Sequence, residues 1–363
     1  MSAQILERLT DESIGLLKQM ISTPSVSRDE GAVADILQAK LTGWGMAVNR
    51  KGNNLWVKER ACAAGKPVIL LNSHIDTVKP AAGYTRDPFT PVVEDGRLYG
   101  LGSNDAGGPL VSLLALFRYL TGTEAERSYS LIFAASAEEE VSGRGGLESI
   151  LPELGAVDLA IVGEPTGMQP AVAEKGLMVL DCTALGKSGH AARGEGVNAI
   201  YQAMPAIEWF RTHTFDRVSQ FLGPVKTTVT QIEAGTQHNV VPDTCRFVVD
   251  VRVNELYSNA ELLAQIKKEC PVAQMPITIQ ERSTRLSSSC IAMDHPIVRR
   301  AMSLGLKPFG SPTMSDQALM PFTSIKIGPG LSSRSHTADE FIGLDEIRDG
   351  VKTYVALLDG LRL

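Results

Sequence analysis

Three short runs along the chain open on uninterrupted apolar residues and close on polar ones. Val68-Ile-Leu-Leu-Asn-Ser-His, Ser130-Leu-Ile-Phe-Ala-Ala-Ser-Ala and Leu159-Ala-Ile-Val-Gly lack the polar alternation of a half-exposed strand. Such runs predict strands buried on both faces, the texture of a parallel sheet covered by helices. Between them the spacing turns helical. The segment Leu110 to Leu120 follows Pro109, a residue suited to a first helical turn, and the N-terminal MSAQILERLTDESIGLL reads as an amphipathic helix. Up to about Glu174 the pattern therefore predicts an α/β domain with a mixed, largely parallel sheet flanked by helices.

From Gly176 to Arg282 the texture changes. Leu177 to Ala184, Thr227 to Glu233 and Arg246 to Val253 alternate more clearly, and helical patterns cover Asn198 to Phe210 and Asn259 to Lys268. This predicts a smaller inserted α+β unit whose sheet is covered on one face. An apolar strand at Ser324 to Ile327 and a closing helix at Asp345 to Leu361 return to the first texture. The expected organisation is a discontinuous first domain, 1–175 and 284–363, interrupted by a second, 176–283.

Composition narrows the partners. The 363 residues are 44% hydrophobic and 21% charged, near globular averages, and a chain of this length favours two domains. With 35 Lys and Arg against 41 Asp and Glu the net charge is −6, and no basic block with interleaved aromatics occurs, so nucleic acid and anionic membrane are not expected partners. No apolar run approaches the roughly 20 residues of a membrane helix, and no export signal opens the chain, so a cytoplasmic location is expected. Five scattered cysteines, Cys62, Cys182, Cys245, Cys270 and Cys290, form no CxxC pair and read as reduced, buried thiols.

The polar strand endings carry the chemistry. A single histidine at a strand end is more often structural than functional, and three successive glutamates usually form a solvated turn. Here, however, five segments end in imidazole or carboxylate: His74-x-Asp76, Asp105 after a Gly-rich turn, Glu138-Glu139-Glu140, Glu164 in Gly-Glu-Pro-Thr, and His336. In open α/β sheets such endings converge on a crevice at the carboxyl ends of the strands. A nucleotide reading of Gly96-Arg-Leu-Tyr-Gly-Leu-Gly-Ser-Asn-Asp fails because Gly107-Gly-Pro lacks the Lys-Ser/Thr of a phosphate loop. Serine hydrolysis fails because Gly186-Lys-Ser-Gly sets Ser188 in the wrong frame.

From Asn72-Ser-His-Ile-Asp-Thr-Val to His336-Thr-Ala-Asp-Glu-Phe the motifs resemble, in order, those of the zinc-dependent aminoacylase, acetylornithine deacetylase, succinyl-diaminopimelate desuccinylase and glutamate carboxypeptidase family. The resemblance implies two Zn²⁺ per chain, with Co²⁺ or Mn²⁺ able to substitute. It also implies His74, Asp105 and Glu164 as ligands of one ion, and Glu140 and His336 as ligands of the other, with Asp105 bridging. Asp76 is expected to orient His74, and Glu139 to act as general base in hydrolysis of an amide. In the inserted unit, Gly186-Lys-Ser-Gly-His190 resembles the family segment whose histidine reaches into the partner subunit, which implies a homodimer. His238-Asn239 and Asp250-Val-Arg252 resemble substrate-contacting segments, so Asn239 and Arg252 are expected substrate contacts. A binding relative that had lost catalysis is the contrasting class, but the five ligand positions and the base are all present.

Two positions depart from the family pattern. The family usually has a basic residue after its bridging aspartate, where this chain has Ala106-Gly107-Gly108, and Glu138 stands where the family more often has Asp. The second departure leaves a rival register with Glu138 as base and Glu139 as ligand. The expected substrate is an N-acyl amino acid, N-acetylornithine first, as a step in arginine synthesis. N-succinylornithine, N-succinyl-diaminopimelate, N-acetylcitrulline and dipeptides are the alternatives. Arg193, Arg282 and Arg285 are candidate acyl-end cations, and Asp316 a candidate amine anchor for a dipeptide.

Overall fold

The computed structural model describes residues 3–59, 65–122, 126–270 and 276–363. The chain forms two compact units, one of residues 1–172, 290–309 and 315–363, the other of residues 173–289 and 310–314. The chain crosses between them first at 172/173 and 289/290, where the sequence reading has 175/176 and 283/284. The short return at 310–314 has no apolar periodicity to announce it.

In the first unit the strands Ser130–Ser136, Val68–His74, Leu159–Val162 and Ser324–Lys326 lie side by side and parallel. Asn54–Lys58 joins this set antiparallel to Ser130–Ser136, and Val48–Lys51 pairs with it in turn, so the sheet is mixed. Helices cover both faces. Gly108–Thr121, with Pro109 in its first turn, buries Leu110, Val111, Leu113, Leu114 and Leu116 completely. It packs against Val68–His74 and between the helices Ala3–Ile21 and Leu344–Leu358. On the other face Leu147–Leu154 sets Leu147, Ile150 and Leu154 against Leu70, Ile132 and Ala160. A Leu→Ala change at such a site costs about 2–5 kcal/mol, so this helical sandwich fixes the strand ends firmly.

The second unit is an antiparallel sheet in the order Lys226–Ala234, Thr244–Val253, Gly176–Leu185, Ile277–Glu281. Alternate residues of the central strands, Met178, Leu180 and Cys182 with Phe247, Val249 and Val251, turn inward to the helices Ala199–Thr212 and Asn259–Glu269. Asn198 and Ser258 cap these helices through their side-chain oxygens, which accept from the N–H groups of Ile200 and Glu261.

Two expectations about individual residues change. Cys182, Cys245 and Cys270 are buried thiols in no disulfide, but Cys290, at the end of a two-residue strand, is exposed; Cys62 lies outside the described residues. Asp316, the candidate amine anchor, is buried. It is 3% exposed and accepts a hydrogen bond from Ser136 Oγ at 2.6 Å.

Candidate metal centre

Three of the four parallel strands deliver their polar endings to the same side of the sheet. His74 closes Val68–His74, Glu139 and Glu140 form a turn three residues beyond Ser130–Ser136, and Glu164 follows Leu159–Val162 by two residues. Asp105 comes from the irregular turn Ser103–Gly107 leading into the central helix. Glycine is required just beyond it. A Cβ on Gly107 would lie 2.4 Å from the Gly102 carbonyl oxygen, and one on Gly108 2.1 Å from Ile342 Cδ1. His336 comes from the loop before Phe341–Gly343, with a left-handed backbone at φ 59°.

These side chains form two donor groups that share Asp105: His74, Asp105 and Glu164, and Asp105, Glu140 and His336, with the donor atoms of each group within 4.8 Å of one another. Asp105 turns one oxygen to each. Its Oδ1 lies 3.3 Å from His74 Nε2 and its Oδ2 3.6 Å from His336 Nε2. His336 Nε2 also stands 3.0 Å from Glu140 Oε2. Glu139 belongs to neither group, yet its Oε2 is 4.0 Å from His74 Nε2.

The register of the three glutamates is visible in their directions. Glu138 turns away: its carboxylate accepts from Gly145 N–H at 3.4 Å and faces Arg28 at 4.0 Å. It fills the space over Gly143, where a Cβ would fall 1.8 Å from Glu138 Oε2. Glu139 faces His74, and Glu140 faces His336.

Asp76 does more than its place beside His74 suggests. The His74 Nδ1 lies 2.9 Å from the Asp76 carbonyl oxygen and 3.5 Å from its carboxylate. An Nδ1–H donated to that carbonyl leaves the Nε2 lone pair facing Asp105 and Glu164. The Asp76 carboxylate instead accepts from the backbone N–H groups of Glu139, at 3.0 Å, and Glu140, at 3.1 Å, and from Ser27 Oγ at 2.7 Å. It therefore sets the turn that carries both glutamates. Sequence reasoning also passed over Asn104 and Glu340, although both stand in quoted motifs. Glu340 is buried and accepts from the N–H groups of Gly102, Asn104 and Asp105.

Electrostatics show what the donor set asks for. Burial alone would depress His74, but Asp105, Asp76 and nearby glutamates push it well above its ordinary value. Burial, then the carboxylates of Glu164, Asp316 and Glu140, lifts Glu139 well above the usual carboxylate range against the pull of His74. Burial and Asp105 lift Glu164 similarly, with His74 and Lys326 opposing. His336, bonded to Glu140, rises to about 9. Burial opposes ionisation of Asp105, but His74 holds it below its ordinary value. Protons are retained where carboxylates crowd, which is what a divalent cation relieves. Two imidazoles and three carboxylates without a thiolate suit Zn²⁺, Co²⁺ or Mn²⁺.

The second unit brings together only part of its expected set. Gly189–His190 pairs with Val240–Val241, and Ala191 N–H donates to the Asn239 carbonyl at 3.0 Å, so His190 and Asn239 are neighbours. His190 is exposed, with Nδ1 accepting from Ala192 N–H at 3.2 Å. Arg252 stands near the far end of Thr244–Val253, roughly 25 Å along the strand at about 3.3 Å per residue. Its Nε and Nη2 are engaged by Asp250 at 2.9 and 3.1 Å. Arg282 is likewise held by Asp181 at 2.9 and 2.8 Å.

Known proteins match along most of this chain. Succinyl-diaminopimelate desuccinylase from Stenotrophomonas maltophilia is 25% identical over 96% of the chain and 98% of its own length. The desuccinylase from Paracidovorax citrulli is 28% identical over 63% of the chain, and the match spans 65% of that relative. Among solved structures, aminopeptidase PepT from Bacillus cereus superposes with a TM-score of 0.79 at 21% identity, covering 98% of each chain. A metallo-carboxypeptidase from Sulfolobus solfataricus gives 0.75 at 17% identity, over 96% of this chain and 98% of that one. No described helix is long and apolar enough to cross a membrane. Residues 70–360 match the model of Peptidase family M20/M25/M40, and the chain belongs to that family of metal-dependent amidohydrolases.

Proposed function

We propose that the chain hydrolyses the amide bond of an N-acylated amino acid at a two-metal centre in its first unit. The observation that carries this reading is Asp105, whose two oxygens face His74 and His336 and so serve both donor groups. His74, Asp105 and Glu164 are the ligands of one ion, and Asp105, Glu140 and His336 those of the other. When bound, the ions polarise the amide carbonyl and lower the pKa of water. Glu139 is the general base: it stands beside the donor groups without belonging to either, and its raised proton affinity suits taking a proton from the attacking water and returning it to the departing amine. Asp76 holds the turn that aims Glu139 and Glu140.

His190 and Asn239 on one hand and Arg252 on the other are the proposed substrate contacts, the first as donor to the developing oxyanion, the last for a carboxylate. Roughly 25 Å of strand is more than one small N-acyl amino acid bridges within a single chain. A homodimer through the second unit, with His190 acting in trans, removes that obstacle. Exposed Tyr201, Met204 and Ile232 on this unit's helix and terminal strand favour such an interface.

For the substrate we propose an N-acyl diamino acid. The desuccinylase relatives favour an N-succinyl group, with N-acetylornithine the alternative. The test is kcat/KM of the Zn²⁺-loaded enzyme for N-acetylornithine, N-succinylornithine, N-succinyl-diaminopimelate, N-acetylcitrulline and simple dipeptides. One N-acyl diamino acid should exceed the rest by at least tenfold. A preference for dipeptides would overturn this reading.

A further inference from the structure

The segment around His336 is fastened to the turn that carries Asp105 from both of its sides. Glu340 is 2% exposed, and its carboxylate accepts from backbone N–H groups of that turn: Oε1 from Asn104 at 2.8 Å and Asp105 at 2.9 Å, Oε2 from Gly102 at 3.1 Å. In return, the Asn104 side chain donates to the Leu331 carbonyl at 3.1 Å and Ser335 Oγ at 3.3 Å, and accepts from Leu331 N–H at 2.9 Å. The Gly100 N–H adds a bond to the Glu340 carbonyl at 3.0 Å. Asp105 has non-helical backbone angles, and its N–H finds its acceptor outside the turn, in Glu340.

We infer that Glu340 is a positioning residue for the metal centre: by accepting the N–H groups of Gly102, Asn104 and Asp105 it sets the aim of the one carboxylate common to both donor groups. It belongs to neither donor group. The inference rests on the reading of Asp105 as a shared ligand and goes beyond it, because it assigns the accuracy of that sharing to a residue outside both donor groups. Hydrogen bonds from backbone N–H groups to a carboxyl group are directional, and residues that orient metal ligands typically govern metal affinity by 10–100-fold. A carboxylate meets this need better than an amide. Both its oxygens accept, whereas Gln would turn an NH₂ donor toward at least one N–H.

The test is Glu340→Gln, studied well below its melting temperature, with Zn²⁺ affinity measured against a chromophoric chelator and the visible spectrum recorded after Co²⁺ loading. Hydrogen exchange of the Gly102–Asp105 amides in metal-free protein gives a readout independent of any ion. The expected result is affinity weakened 10–100-fold at both sites, an altered Co²⁺ spectrum, faster exchange at these amides, and a fall in kcat with KM within about twofold. Should Glu340→Gln fail to fold, Glu340→Asp keeps the charge but withdraws it by one methylene, and affinity should fall several-fold. Wild-type affinity and Co²⁺ spectrum in either folded variant, even with a lower melting temperature, would overturn the inference and leave the two-metal reading standing. Fewer than two ions bound by the wild-type protein would overturn both.

Discussion

Asp76→Asn isolates the difference between holding a metal ligand and holding the turn behind it. The substitution is nearly isosteric and leaves His74 its shorter contact, the Asp76 carbonyl at 2.9 Å. It removes one of the two oxygens that separately receive the N–H groups of Glu139 at 3.0 Å and Glu140 at 3.1 Å, and confronts one of them with an amide NH₂. A hydrogen bond to a charged group contributes about 1.5–3 kcal/mol, and a buried donor left without an acceptor costs about 1–3 kcal/mol. Loosening of the turn by about 2–4 kcal/mol is therefore expected. If about half of that reaches the ligand Glu140, the second ion binds roughly 5–30-fold more weakly, at about 1.4 kcal/mol per tenfold. The base is affected more than the ligand, since a displacement of about 1 Å can cost on the order of 100-fold in rate. The assay is chelator competition for each ion together with kcat at saturating metal. Expected are a 100-fold drop in kcat, a weakened second ion and an unchanged first one. Wild-type kcat with both affinities within twofold would show that the Asp76 carboxylate does not set the turn.

Glu139→Gln should retain both ions and lose at least 10³-fold in kcat, whereas Glu138→Gln, whose side chain packs over Gly143 and Gly145, should keep kcat within several-fold; the reverse outcome would restore the rival register. Metal-free protein should lose stability as pH rises from about 5 to 9. In that window the folded state holds protons on Glu139, Glu164, His74 and His336 that the unfolded chain has released, so each raised group gives stability below its unfolded value that vanishes as pH passes its folded one. Zn²⁺ needs its ligands, His74, Glu164 and His336 among them, deprotonated, so the gap in melting temperature between loaded and stripped protein should widen from pH 5.5 to 8; a constant or shrinking gap would contradict the assignment. Sedimentation should give a dimer, and mixing inactive Glu139→Gln with inactive His190→Ala chains should restore part of the activity through hybrids; a fully active monomer would remove the role of His190 in trans.

Much of the first unit could be read from its residues because buried parallel strands announce themselves: Val68–His74 and Leu159–Val162 are apolar on both faces, and their polar endings mark the crevice. The fourth strand of the second unit, Ile277–Glu281, escaped notice because half of it is polar and its pairing with Gly176–Leu185 is remote in sequence. The three-stranded sheet of Val92–Glu94, Arg97–Tyr99 and Phe341–Gly343 is too short for a period to show. Site residues named from side-chain type were legible, and those acting through backbone were not. Asp76 reads as a partner of His74 by spacing, yet its carboxylate serves N–H groups 63 and 64 residues away. Glu340 reads as one more acid in a polar motif, and its partners lie more than 230 residues earlier. Backbone N–H groups leave no trace in residue identity, so only the folded chain reveals which of them lack an acceptor.

The central claim, a two-ion amidohydrolase centre shared through Asp105, is tested most directly by titrating stripped protein with Zn²⁺ while following hydrolysis of an N-acyl diamino acid. The account predicts turnover that rises to a plateau at two equivalents per chain and is absent without metal. Full activity at zero equivalents, or two bound ions with no hydrolysis of any N-acyl amino acid, would contradict it.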